Sequence, residues 1–180
     1  RFGGLRAIDD LSMAVEAGER LVILGPNGAG KTTLFNVITG MIRPTRGRVA
    51  LFGRDVTRVS VARRVMLGLG RTFQIATLFP RLTVLESAML AVQAGEPQRF
   101  VMHRAMNSYT GTRGRAIDLL EEWQLGAKAD METRQLSYGE QRRVELVLAL
   151  ARQPRLLLLD EPAAGLSSEE TAVVEDMVRR

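Results

Sequence analysis

The sequence predicts an α/β fold, a mostly parallel sheet with flanking helices. Three observations predict it. The apolar run Arg20-Leu21-Val22-Ile23-Leu24 reads as a buried strand, and it leads through Gly25-Pro26-Asn27-Gly28-Ala29-Gly30-Lys31-Thr32 into a helix over Thr32 to Thr39. Much later, Arg155 to Leu159 is a strand whose consecutive leucines imply burial on both faces, as in a parallel sheet. Between them, Thr83–Glu86 and Ser137–Glu140 have the spacing of capping boxes and open helical stretches.

The glycine loop fits G-x-x-x-x-G-K-[ST], a phosphate-binding pattern that needs a strand before it and a helix after it. Gly25, Gly28 and Gly30 let successive N–H groups turn towards one anion at a helix N-terminus. Lys31 adds a point charge for the β- and γ-phosphates, and the Thr32 hydroxyl suits Mg²⁺. Lys31 and Lys128 are the only lysines among 25 basic residues. A compact ammonium fits between phosphates where a planar guanidinium does not. The candidate phosphate-binding residues are thus Gly25, Pro26, Asn27, Gly28, Ala29, Gly30, Lys31, Thr32 and Thr33.

With 180 residues, the chain has room for one domain with a substantial core and a smaller inserted lobe. It has no cysteine, so a disulfide framework is excluded. The longest apolar run, Leu146 to Ala151, falls far short of the roughly 20 residues that span a bilayer. No signal peptide is evident. The net charge of +5 comes from scattered arginines with few aromatics among them, which describes a solvated surface rather than a nucleic-acid interface. Arg1 is not a start residue, and Ala172 to Arg180 stops inside an amphipathic pattern, so a fragment of a longer chain is expected.

In order, Arg6 to Gly18 alternates loosely and ends in a turn at Glu16 to Glu19, the pattern of a strand pair. Gly40 is placed to cap the first helix. A turn follows at Arg43 to Gly47, then a strand at Val49 to Phe52, a turn at Gly53 to Asp55 and a short helix at Ser60 to Leu67. Arg71 to Gln74 reads as a strand, and Thr83 starts a helix reaching about Val92. Ala94 to Arg115 carries little pattern. It holds His103, the only histidine, which has no second ligand-type residue near it. A helix is predicted over Arg115 to Leu125 with Gly126 as its C-cap, and Ser167–Glu170 is a third capping box.

Two points carry further chemistry. Ser137 should cap a helix that turns Val144, Val147, Leu148 and Ala151 inward until Pro154. Gly139 in its first turn disfavours the helix by roughly 1 kcal/mol against alanine, so something is expected to approach the backbone there. A helix N-terminus attracts phosphate. The leucine strand ends in Asp160-Glu161-Pro162, and ligand groups belong at the C-terminal ends of parallel strands. Asp160 suits Mg²⁺ through water, and Glu161 suits orienting an attacking water.

Together these motifs resemble the ATP-binding cassette family over essentially the whole chain. The resemblance rests on the phosphate loop, Gln74 after a strand, Leu136-Ser137-Tyr138-Gly139-Glu140-Gln141, and the leucine run into Asp160-Glu161-Pro162. Tyr138 and Glu140 stand where the family's signature more often has glycine and glutamine. The resemblance implies a P-loop core with a small antiparallel part, formed by residues 1–74 and 154–180, and a helical lobe over about 75–153. It implies ATP and Mg²⁺, with Gln74 as Q-loop residue at the metal and the attacking water, and Phe2 stacking on adenine. It further implies pairing with a second cassette, so that Ser137, Gly139 and Glu140 face the partner's γ-phosphate. Transmembrane permease subunits and a solute-binding protein would complete the system at the cytoplasmic face of the inner membrane. The family's switch histidine would lie beyond Arg180, so weak hydrolysis is expected of this stretch alone. Phe2-Gly3-Gly4-Leu5, Arg71 to Gln74, Leu82 to Glu86 and Asp160 to Leu166 look like the ATPase of branched-chain amino acid importers. Urea-type and lipopolysaccharide-export relatives share parts of the pattern. The competing readings are a cassette ATPase acting on DNA, against which the absence of heptads argues, one acting on ribosomes, whose paired cassettes a truncated chain would hide, and a regulatory cassette, against which Glu161 and Gln74 argue.

Overall fold

The computed structural model describes residues 7–72, 78–95 and 110–179. The chain divides into two compact units, residues 1–67 and 68–180.

In the first unit the turn after Glu16 forms as expected, with Glu19 N–H donating to the Glu16 carbonyl at 3.1 Å. Its flanking segments do not become strands. Residues 11–16 and 19–26 have no regular structure, and Val22 and Leu24 are 74% and 87% exposed. The reason is physical: an apolar run is a strand only when a neighbour supplies a ladder of N–H and C=O groups, and among the described residues none pairs with it. Helix α1, Lys31–Thr39, ends as predicted on Gly40 at φ 84°. Strands β1, Ala50–Leu51, and β2, Arg54–Asp55, form an antiparallel hairpin pairing Ala50 with Asp55 and Leu51 with Arg54. The predicted turn at Gly53 to Asp55 is therefore displaced. Its central residues are Phe52 and Gly53, at φ 54° and 78°, the signs that a tight hairpin of right-handed twist requires.

Helix α2, Val61–Met66, follows the Ser60 cap and carries a buried cation, Arg64, at 1% exposure. Its guanidinium supplies the donors that the last carbonyls of α1 lack. Nη1 donates to the Val37 and Ile38 carbonyls at 2.9 and 2.6 Å, Nε to Val59 at 3.0 Å and Nη2 to Thr57 at 3.3 Å. Arg64→Met should leave buried carbonyls unsatisfied and destabilise the protein by about 2–4 kcal/mol. The shift in urea midpoint measures it, and an unchanged midpoint would show that water replaces the guanidinium.

The second unit holds the larger core. Strands β3, Leu69–Arg71, and β4, Leu156–Leu158, pair in parallel with Leu69 opposite Leu156 and Arg71 opposite Leu158. The parallel expectation for the leucine strand holds. With β3 as its one partner among the described strands, Leu156 and Leu157 remain only partly buried. Helix α3, Val84–Gln93, begins with the predicted capping box: Thr83 Oγ1 accepts from Glu86 N–H, and Glu86 Oε2 from Thr83 N–H. Its next donors, Val84 and Leu85 N–H, go to the carbonyls of Met131 and Ala129 at 3.0 and 2.9 Å. Helix α4, Thr110–Glu122, starts earlier than its apolar periodicity indicates. It also ends before Gly126, because Gln124 takes the left-handed position at φ 56°. Leu125 N–H then reaches the Leu120 carbonyl at 2.7 Å and Gln124 N–H that of Glu121 at 3.0 Å, a Schellman closure with both leucines buried.

Helix α5, Tyr138–Leu150, and α6, Ser168–Arg179, both open with the capping boxes read from sequence. Val84, Met89, Leu120, Val144, Val147 and Val174 meet in one core, with Leu148 partly buried at its edge. Among the described residues no helix is long and apolar enough to cross a membrane.

Candidate functional site

The glycine loop runs directly into α1. No side chain caps this helix; Gly30 does, at φ 91°. The first amides of a helix have no acceptor within it, so the turn at Lys31 to Thr33 offers donors backed by the positive end of the helix dipole. With Gly28 also left-handed at φ 83°, the loop has the curvature of an anion nest. Glycine is required at Gly30 for a second reason, since a Cβ would run into the Ala7 carbonyl oxygen. Lys31 folds over the loop, Nζ donating to the carbonyls of Gly25 at 2.5 Å and Pro26 at 3.0 Å. Thr32 is exposed on the first turn.

At the start of α5, Ser137 and Glu140 cap each other's amides, at 3.3 Å to Ser137 Oγ and 2.9 Å to Glu140 Oε2. The other Glu140 oxygen pairs with Lys128, the second of the two lysines. That hydrogen bond, ahead of the Ser137 amide, holds the Glu140 carboxyl below its ordinary value. The pair is therefore complete above the unfolded carboxyl pKa and is lost as pH falls through the lowered folded value. Lys128→Met should raise the Glu140 pKa, read by NMR titration of its side-chain carboxyl; an unmoved titration would exclude Lys128 as the cause. Tyr138 donates its hydroxyl to the Ala164 carbonyl at 3.3 Å. The close approach expected at Gly139 comes from within the chain, because the space a Cβ would need is taken by the Glu170 carboxylate.

At the end of β4, Asp160 is buried and accepts from Arg71 Nη2 at 3.2 Å. Glu161 is exposed and left-handed at φ 49°, a conformation that strains a non-glycine residue by about 1–3 kcal/mol. Taken singly, the Thr32 hydroxyl and the Asp160 carboxylate are each hard oxygen donors of the kind that Mg²⁺ takes. Among the described residues no group of three or more His, Cys, Asp or Glu could hold a metal. Phe2, Gln74 and His103 lie outside the described residues.

A family model described as ABC transporter matches residues 8–164. The chain belongs to the ABC transporter family. Its place there is that of the ATP-binding subunit, and its fold is that of the family's ATPase cassette. High-affinity branched-chain amino acid transport ATP-binding protein LivG of Salmonella typhimurium is 36% identical over 99% of this chain and 72% of its own length. BraF of Pseudomonas aeruginosa, which bears the same description, is 33% identical over all of this chain and 72% of its own. The sulfate/thiosulfate import ATP-binding protein CysA of Bordetella pertussis is 38% identical over all of this chain and 48% of its own length. A nucleotide-free ATP-binding cassette from an ABC transporter superposes with a TM-score of 0.85 at 30% identity, covering 99% of this chain and 72% of that one. A dimeric cassette, MJ0796, in a post-hydrolysis state bound to ADP and Pi gives 0.78 at 30% identity over 96% of this chain and 73% of that one.

The sequence reading of this cassette missed two arginines. Arg71 holds Asp160, and Arg142 reaches from α5 to the turn after β4. A signal for the second was present: Arg142 and Glu145 are opposite charges three apart, flanking Val144 on the inward stripe of α5, where apolar residues are expected.

Proposed function

We propose that this chain binds and hydrolyses ATP to power import of branched-chain amino acids. The observation that carries the reading is the glycine-capped start of α1 with Lys31 closed over its loop. In this reading the amides from Gly28 to Thr33 and the Lys31 ammonium bind the β- and γ-phosphates. Mg²⁺ is held by Thr32, Asp160 and Gln74, directly or through water, and when bound it neutralises charge on the phosphates. Glu161 orients and polarises the attacking water as catalytic base, with Gln74 beside it. Phe2 stacks on adenine. Ser137, the Gly139 amide and Glu140 face the γ-phosphate held by a second cassette, which is identical or closely related. Residues from about 75 to 153 form a helical lobe that receives a short helix from a membrane permease subunit, on the cytoplasmic face of the inner membrane. Support for dimeric action comes from the dimeric relative, and support for the solute from LivG and BraF, both branched-chain amino acid transport proteins. The four sequence stretches from Phe2 to Leu166 that look like branched-chain importer ATPases favour that solute over the sulfate of the CysA relative.

The test is a tagged pull-down of the full-length protein from gently solubilised membranes. Multi-span membrane chains, a second cassette and an amino-acid-binding protein are expected. A sulfate-binding protein in their place would overturn the solute. Ribosomes or DNA-repair proteins without membrane chains would overturn the transport role while leaving the ATPase chemistry standing.

A further inference from the structure

Arg142 is 1% exposed, and a cation so buried requires acceptors. It finds them along three consecutive residues. Nη2 donates to the carbonyls of Asp160 and Glu161 at 3.0 and 3.1 Å, and Nε to that of Pro162 at 3.3 Å. Its remaining arm, Nη1, is held by Glu145 Oε2 at 2.5 Å, one turn along α5. Consecutive carbonyls converge on one donor only where the backbone curls, and Glu161, at the centre, has the left-handed φ of 49°. Nothing in the side chain of glutamate favours that conformation. The backbone of a residue sets the direction in which its side chain leaves the chain. A group that holds the Glu161 peptide in this curl therefore aims its carboxylate.

We propose that Arg142 is a positioning residue for ATP hydrolysis, its guanidinium clamping the turn at Asp160 to Pro162 so that Glu161 faces the attacking water. The inference rests on the reading of Glu161 given above. Tyr138, on the first turn of α5, reaches the Ala164 carbonyl from the same helix, so α5 grips this stretch of chain at two points. The planar fork of arginine suits several carbonyls at once, whereas a lysine ammonium keeps the charge but not the fork.

The test uses the full-length protein. Arg142→Lys should lower kcat about 10-fold with KM for ATP and nucleotide Kd unchanged, the scale of loss for a misplaced group. Arg142→Met/Glu145→Leu removes both buried charges together, which protects folding, and should lower kcat about 100-fold. In a Glu161→Gln background neither change should lower the residual single-turnover rate further, since there is no longer a carboxylate to aim. A kcat near wild type in either folded variant, a matching loss of nucleotide affinity, or full additivity with Glu161→Gln would overturn the proposal. If Glu161→Gln itself turns over normally, the reading of Glu161 fails. If it is inactive while the Arg142 variants are normal, only the role of Arg142 fails.

Discussion

Glu161→Gln in the full-length protein is expected to lower steady-state ATP turnover by about 10²–10⁴-fold, the range for loss of a general base, while nucleotide binding survives. Three features make the substitution informative. Glutamine has nearly the shape of glutamate, so the left-handed backbone at φ 49° meets no new steric demand. The Glu161 carbonyl accepts from Arg142 at 3.1 Å, and that anchor does not depend on the carboxylate being charged. The phosphate loop is untouched. Binding without turnover should also stabilise an ATP-dependent dimer, visible by light scattering. Phosphate release, nucleotide Kd and molar mass together give the answer, and undiminished phosphate release would remove Glu161 from the mechanism.

What the sequence disclosed was local, and what it hid was not. The capping boxes at Thr83, Ser137 and Ser167 formed as read because donor and acceptor lie within four residues and need no help from the rest of the fold. Gly40 closed α1 for the same reason. Leu21 to Leu24 failed as a strand because strand formation depends on a neighbour that composition cannot supply. The C-cap of α4 moved from Gly126 to Gln124 because burial of Leu120 and Leu125 outweighs the preference for glycine at a left-handed position. Phe52 entered a positive-φ turn under the demand of the hairpin twist. At the candidate site, the loop and the Asp160-Glu161 pair were legible as spacing. The arginines that hold the acidic turn were not, since Arg71 meets Asp160 across 89 positions and Arg142 across 18.

Lys31→Ala is expected to weaken MgATP binding by about 1.5–3 kcal/mol, roughly 10- to 150-fold in Kd, the value of a charge-assisted hydrogen bond. The Lys31 ammonium donates to the Gly25 and Pro26 carbonyls at 2.5 and 3.0 Å, so the loop curves around the charge. The substitution removes both the charge and the strut that shapes the loop. Lys31→Arg separates the two effects. A guanidinium keeps the charge but is too broad to lie on the same two carbonyls and between two phosphates, so it should bind nearly as weakly as alanine. Lys31 is only partly buried, and neither variant should move the thermal midpoint far. Isothermal calorimetry with MgATP, paired with a thermal melt, distinguishes loss of the site from loss of the fold. Wild-type affinity in Lys31→Ala would refute the assigned role. Wild-type affinity in Lys31→Arg would show that charge alone matters and that the closed geometry of the loop does not.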